Sequence, residues 1–209
     1  MRKWIVAAVV LAVAAGTGAF LWMRGGAEAQ RPATFRAERT TAHYAPIATR
    51  AVDPAPLTAA EIFPTASVTA GGTTLARQGT ETLTDCASAV WGSAEQAVDG
   101  CTQVLRARYA TRDGRVSGQF VIFNLADSAA ADRLVAALGD GGFVRPVPGT
   151  PEGFDGSHGW AQARALGHYV TVSWVGPVTG AAGGSRVDLT YPQLAVDSPS
   201  LLIQRRLLN

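Results

Sequence analysis

Apolar and polar positions alternate with period two on both sides of Asp113-Gly114, the most ordered pattern in the chain. An Asp-Gly pair between alternating strands predicts a two-residue hairpin turn. Folding there sets Tyr109 against Gly118, Ala107 against Phe120 and Leu105 against Ile122. These pairs put apolar or small side chains on one face, as register requires. The other face pairs Arg108 with Gln119 and Arg106 with Val121, a mixed surface expected to be partly wet. A second alternating stretch predicts a second hairpin turning at Leu166-Gly167. It would pair Ala163 with Val170 and Ala161 with Val172 on the core side, and Arg164 with Tyr169 opposite. Between the hairpins the period changes to 3.6. Ala131, Leu134, Val135 and Leu138 form one stripe of a helix capped by Asp127 or Ser128 and ended by Gly139.

Weaker signals fill in the remainder. Thr58 and Glu61 have capping-box spacing, with Leu57 and Ile62 at the staple positions, so a helix starts there, and Pro64 stops it after about one turn. Gly71-Gly72 predicts a turn and Thr73–Gln78 a short strand. Thr84 or Asp85 can cap a helix running through Ala89, Trp91 and Val98 to Gly100. Phe143–Val147 reads as a strand that Pro146 confines to an edge. Gly149–Gly159 and Pro177–Ser185 are loops, and Arg186–Tyr191 is a candidate strand. Ser198-Pro199 opens a C-terminal helix, with Pro at its first position. The order helix, hairpin, helix, edge strand, hairpin predicts an α+β fold: an antiparallel sheet built from two hairpins with helices on one face.

The first residues obey a different rule. Trp4–Met23 holds twenty residues without a charge, enough to cross ~30 Å of hydrocarbon as a helix. Trp4 and Trp22 lie near its two ends, where indole rings favour the interface. Ala27-Glu28-Ala29 has the form of a signal-peptidase site, so secretion after cleavage near Ala29 is the alternative, but a signal h-region is usually shorter. The resulting layout is an anchor with a short cytoplasmic start at 1–23, a flexible linker at 24–55 and an extracytoplasmic α+β domain at 56–209. Arg24, Arg31, Arg36 and Arg39 follow the span and oppose this orientation by charge. Long C-terminal domains, however, translocate largely regardless of charge.

Composition narrows the function classes. The formal net charge is +2 and the basic residues, all arginine except Lys3, are dispersed, unlike the clustered excess of a nucleic-acid binder. The two cysteines are too few for a four-thiolate zinc site. Cys86 and Cys101 flank the predicted 85–98 helix. In an oxidising compartment they are expected to form a disulfide worth about 3 kcal/mol in the chain-entropy model.

Asp85-Cys86, the run Gly100-Cys101-Thr102-Gln103-Val104-Leu105-Arg106-Ala107-Arg108-Tyr109, and Val121-Ile122-Phe123-Asn124-Leu125-Ala126-Asp127 with its Ala-rich helix resemble a family of poorly characterised actinobacterial membrane-tethered extracytoplasmic domains. These domains stand alone or form the outer part of larger membrane proteins, some with Ser/Thr kinase domains. The resemblance spans Leu57 to Val175. It implies location and fold, not activity, and it brings no catalytic residues. The chain itself has no kinase signature.

Few residues carry chemistry. Asp155-Gly156-Ser157-His158-Gly159 lacks the glycine two before the serine that a nucleophile elbow needs, and is read as a loop. His43, His158 and His168 have no partners at ligand spacing, so no metal and no cofactor are expected. The glycine-rich loops lack the phosphate-cradle pattern. Trp160 and Trp174 are read as packing residues. Arg106 and Arg108, with Arg164 and Tyr169 from the second hairpin, form a candidate anion-binding face if the hairpins are neighbours, since guanidinium forks fit carboxylate and phosphate. The expected protein is a single-pass, membrane-anchored, non-enzymatic domain of binding or sensor-like type. Its expected partners are membrane lipid through the N-terminal helix, and an envelope protein or anionic ligand. A scaffolding component of an envelope complex is the alternative, and an envelope hydrolase ranks third.

Overall fold

The hairpin on Asp113-Gly114 forms in the expected register. Strands β5 (Gln103–Thr111) and β6 (Val116–Asn124) pair Tyr109 with Gly118, Ala107 with Phe120 and Leu105 with Ile122. The computed structural model describes residues 30–180 and 187–208. Around this hairpin lies a mixed seven-stranded sheet in the order β1-β8-β9-β6-β5-β3-β2. Its other members are β1 (Thr34–Glu38), β2 (Ser67–Ala70), β3 (Thr73–Leu83), β8 (Trp160–Leu166) and β9 (Tyr169–Pro177). All neighbours are antiparallel except β1 and β8. The class is α+β.

The second hairpin forms with its turn displaced. The loop is Gly167-His168, so Ala163 pairs with Val172 and Ala165 with Val170, two residues from the expected register. A two-residue turn with glycine at its first central position explains the shift. Gly167 has φ of +67°, and a Cβ there would sit 2.2 Å from the Ile47 carbonyl oxygen. An even shift leaves every side chain on its expected face.

Helix α1 (Ala59–Ile62) carries the full capping box between Thr58 and Glu61, and Leu57 and Ile62 are buried. Helix α3 (Ser128–Gly139) is capped by Asp127, which accepts from the Ala130 N–H, and buries Ala131, Leu134, Val135 and Leu138. The Cys86–Cys101 disulfide is present.

Several segments differ from expectation. The 85–98 stretch is not one helix. It runs as a 3-10 turn (Cys86–Ala89), a strand β4 (Val90–Gly92) and the short helix α2 (Ala94–Ala97). Strand β4 pairs with β7 (Gly142–Val144) in a separate two-stranded sheet. Long-range pairing of the β-favouring Val90 and Trp91 with Val144 and Phe143 overrides local helix preference. Strand β7 stops before Pro146, shorter than expected. Strand β3 runs on to Leu83 through a bulge between Arg77 and Gly79. Val187–Leu189 is not strand, and Thr190–Asp197 forms helix α4 instead, followed by a 3-10 helix over Ser198–Leu208.

The expected linker is also corrected from residue 31 onward. Thr34–Glu38 is an edge strand of the main sheet, Ala42–Ile47 is a 3-10 helix, and Ile47 is buried in the core. Phe35 lies edge-on to Phe143, which gives this polar segment an apolar anchor. No helix among the described residues is long and apolar enough to cross a membrane. The Trp4–Met23 segment and its cleavage-like site lie outside the described residues.

Helices cover both faces of the sheet, not one. On the α3 face, Val121, Phe123, Val172 and Trp174 pack with Leu134, Leu138 and Phe143. On the α4 face, Leu105, Phe120, Ile122 and Tyr169 pack with Ile62, Ala195, Val196 and Ile203. The central strands β6 and β9 are therefore buried on both sides, which is why neither shows an exposed position.

Candidate functional site

Strand parity decides where the four candidate anion-binding residues go. Arg106 pairs with Val121, Val121 with Val172, and Val172 with Ala163. All four therefore share the α3 face, and Arg108 joins them two residues on. Arg164 and Tyr169 have the opposite parity and lie on the α4 face. The hairpins are neighbours through β6 and β9, yet the sheet separates the two pairs of residues.

Arg106, Arg164 and Tyr169 are already engaged by protein partners. Arg106 is buried and held by Glu81 at 2.7 Å. Arg164 lies between two carboxylates, donating to Glu38 at 2.9 Å and to Asp197. Burial opposes its charge, but Asp197 and then Glu38 outweigh burial and raise its pKa. Tyr169 is fully buried. Its hydroxyl donates to Asp53 at 2.7 Å and accepts from Arg206 at 3.1 Å. Burial, helped by Asp53, holds this phenol protonated far above the usual range. Arg108 is half-buried beside the loop at Gly149, and its Nε has no hydrogen-bond partner. One such guanidinium does not make a charged face.

The serine-histidine loop resolves into a cap. Asp155 accepts from the Ser157 hydroxyl at 2.6 Å and from the His158 backbone N–H at 3.2 Å, and contacts His158 Nδ1 at 2.7 Å. The Ser157 hydroxyl bond, then the His158 contacts, pull the Asp155 pKa below its ordinary value. A serine activated by histidine needs its hydroxyl on an imidazole nitrogen free to take the proton. Here Ser157 donates to the aspartate instead, and the nearest imidazole nitrogen is already occupied by it.

The histidines are dispersed by environment as well as by sequence. His168 is fully buried with Nδ1 on the Ile47 carbonyl at 2.8 Å, whereas His158 is exposed. Among the described residues, no three His, Cys, Asp or Glu side chains gather as a metal ion would require. Trp174 is fully buried between Phe143 and Phe154, both edge-on to it, and Trp160 packs partly buried on the α4 face.

A different site emerges on the α4 face, where the start of the domain meets its end. A groove of about 430 Å³ lies among the end of β1, the end of β8, helix α4 and the C-terminal 3-10 helix. Its floor is Arg164, Ala165 and Leu166. Glu38, Arg39, Thr41 and Tyr44 form one side, and Leu194, Asp197, Leu201 and Gln204 the other. Leu194 and Leu201 are 55% and 61% exposed, so the rim presents two leucines to solvent.

The floor is rigid. Gln162 donates to Glu38 at 2.8 Å, Ser173 donates to Asp197 at 2.8 Å, and Gln193 donates to Ser173 at 2.7 Å. This lane of polar groups runs inward beneath α4, where Thr171 Oγ1 and Gln193 Oε1 are buried without protein partners. Such a groove can hold a ligand with an apolar body against the leucines and a polar end toward Arg39, Thr41 and Gln204. Sequence reading reached Arg164 but missed the rest. The seven-residue spacing of Leu194 and Leu201 was the available signal, and reading the preceding segment as a strand hid it.

No family model, no curated protein and no solved structure matches the chain.

Proposed function

We propose that this chain is a single-pass membrane protein, anchored through Trp4–Met23, whose extracytoplasmic domain binds an amphiphilic ligand in the groove between β1 and α4 without transforming it. The observation that carries the binding reading is the pair of exposed leucines facing fixed polar groups across a concave floor. Binding sites of this size typically combine an apolar lining with a few placed polar groups. The location rests on the uncharged twenty-residue stretch and on the Cys86–Cys101 disulfide, a bond that persists in oxidising compartments.

Thermal melting of the full chain with single-chain amphiphiles and with short apolar peptides tests the reading. A saturable rise in melting temperature is expected for one ligand class, lost in Leu194→Asp and Leu201→Asp variants that still fold. Equal shifts in wild type and both variants would sink it. So would loss of a measurable hydrolytic activity on Ser157→Ala, which would revive the hydrolase reading.

A further inference from the structure

The main sheet ends in β1, and its outer edge carries a charge pattern that matches itself. Thr34 N–H donates to the Gly159 carbonyl at 3.2 Å, so the backbone of Thr34 points toward β8. Alternation then directs Arg36 and Glu38 toward β8 as well, and leaves the amides and carbonyls of Phe35 and Ala37 facing outward. Arg36 and Glu38 sit on the same face two residues apart, both exposed. Glu38 is held in place by Gln162 and Arg164 and keeps acceptor capacity. Arg36 has no hydrogen-bond or ion-pair partner among the described residues.

We propose that two copies of this chain pair antiparallel through β1, making one continuous sheet of both molecules. An unpaired edge is a template for strand addition, and a two-fold axis requires the edge to complement itself. Outward-facing backbone groups restrict the pairing to registers that match odd-numbered residues with odd-numbered residues. Centring on Arg36 sets Arg36 against Arg36, and centring on Glu38 sets Glu38 against Glu38. Centring on Phe35 leaves Arg36 against Thr34.

Centring on Ala37 sets Arg36 against Glu38 of the other copy, twice. Those are non-hydrogen-bonded positions, where opposing side chains approach most closely. Charges on an edge strand usually serve to block pairing. Here their order makes one register attractive and its neighbours repulsive. The contact is short and is accordingly weak in dilute solution.

The test places a thiol on the axis. Cys86 and Cys101 are joined to each other, so Ala37→Cys adds a single reactive group to the full chain. A short bis-maleimide, which adds one thiol at each end, should link two Ala37→Cys chains, because paired residues at such a position lie ~5.5 Å apart. Thr69→Cys on the opposite edge strand, β2, should not link. Arg36→Glu in the Ala37→Cys background turns two attractions into two repulsions and should weaken association about tenfold, whereas Arg36→Lys should leave it nearly intact. Each variant is first shown to keep the wild-type melting transition. Linking no greater at Ala37→Cys than at Thr69→Cys overturns the proposal. So does a yield that Arg36→Glu leaves unchanged, or linkage to some other protein in place of a second copy.

Discussion

The two faces of the central sheet are closed by different physics. The α3 face is dry where β6 and β9 meet the helix, with its buried polar groups, Arg106 on Glu81 and Gln119, to one side: Trp174, Phe123, Val121 and Val172 meet Leu134, Leu138 and Phe143, and the helix that covers them follows β6 directly in sequence. The α4 face is laced with polar groups and is closed by the two ends of the domain. Arg206, near the C-terminus, reaches Asp53 and Glu61, each at 2.7 Å, and also the Tyr169 hydroxyl. The groove lies on this second face. Both faces have an apolar core, but the α4 face adds long-range ion pairs that tie the C-terminal segment to residues far away in sequence. If the groove binds as proposed, stability and binding fall on opposite sides of one sheet.

The sharpest way to break that division is to hollow out the dry face. Trp174→Ala removes the largest fully buried side chain from between Phe143 and Phe154, and should cost about 4 kcal/mol. Denaturant unfolding of the full chain measures it. A cost below about 1 kcal/mol would mean that the α3 face is not the main stabilising core.

On the polar face, Arg206→Met keeps most of the side-chain volume and leaves Asp53 and Glu61 facing each other without their cation. Removing one partner of a largely buried pair typically costs about 3 kcal/mol. The loss should fall on docking of the C-terminal segment, seen as faster amide exchange over 198–208 than over 128–139. Uniform loss of protection across both segments would contradict the division between faces.

Reducing the Cys86–Cys101 disulfide tests the α3 side again, by a different route. The bond closes a loop with a sequence separation of 15, and its removal should lower stability by about 3 kcal/mol. Melting with and without reductant reads the difference, and Cys86→Ala/Cys101→Ala should melt like the reduced protein and respond to no reductant.

The dry face was the legible one. Its signals are short-range: Asp127 caps the helix whose stripe starts at Ala131, and Asp113-Gly114 fixes the β5–β6 register. The polar face depends on contacts between residues far apart in sequence, such as Arg206 with Asp53 or β1 with β8, and these leave no local period. Thr34–Glu38 reads as spacer because it has one apolar anchor, Phe35, and it becomes a strand only once β8 offers an edge. The four residues expected to share one anion-binding face are split between the two faces for a related reason. Each hairpin's pattern tells which residues share a side within that hairpin, but with both faces buried it does not say how one hairpin's sides match the other's. The groove needed that match to be visible.

His168 offers the gentlest probe of the polar face. Its ring is fully buried, Nδ1 is on the Ile47 carbonyl, Nε2 has no partner, and the ring lies 3.9 Å from that of Tyr169. Burial chiefly, and the nearby Arg50 and Arg206 charges to a lesser degree, push its pKa below the ordinary histidine value, against the opposing pull of Ile47 and Asp53. The native state therefore keeps the ring neutral at a pH where the unfolded chain, titrating near ~6.5, takes up a proton. An unfolded state that binds more protons gains on the native state as pH falls. Stability should be flat above ~6.5 on this account and decline below it. The carboxylates whose pKa values are lowered, Asp113, Asp155 and Asp188, act at more acidic pH and leave this window to the histidine. His168→Asn can retain the bond to Ile47 and cannot titrate. It should start less stable at pH 7 and show no slope between ~6.5 and ~5. An identical slope in wild type and variant would remove His168 as the cause. A slope confined to wild type would show that neutral His168, held on the Ile47 carbonyl, is the group through which acid destabilises the fold.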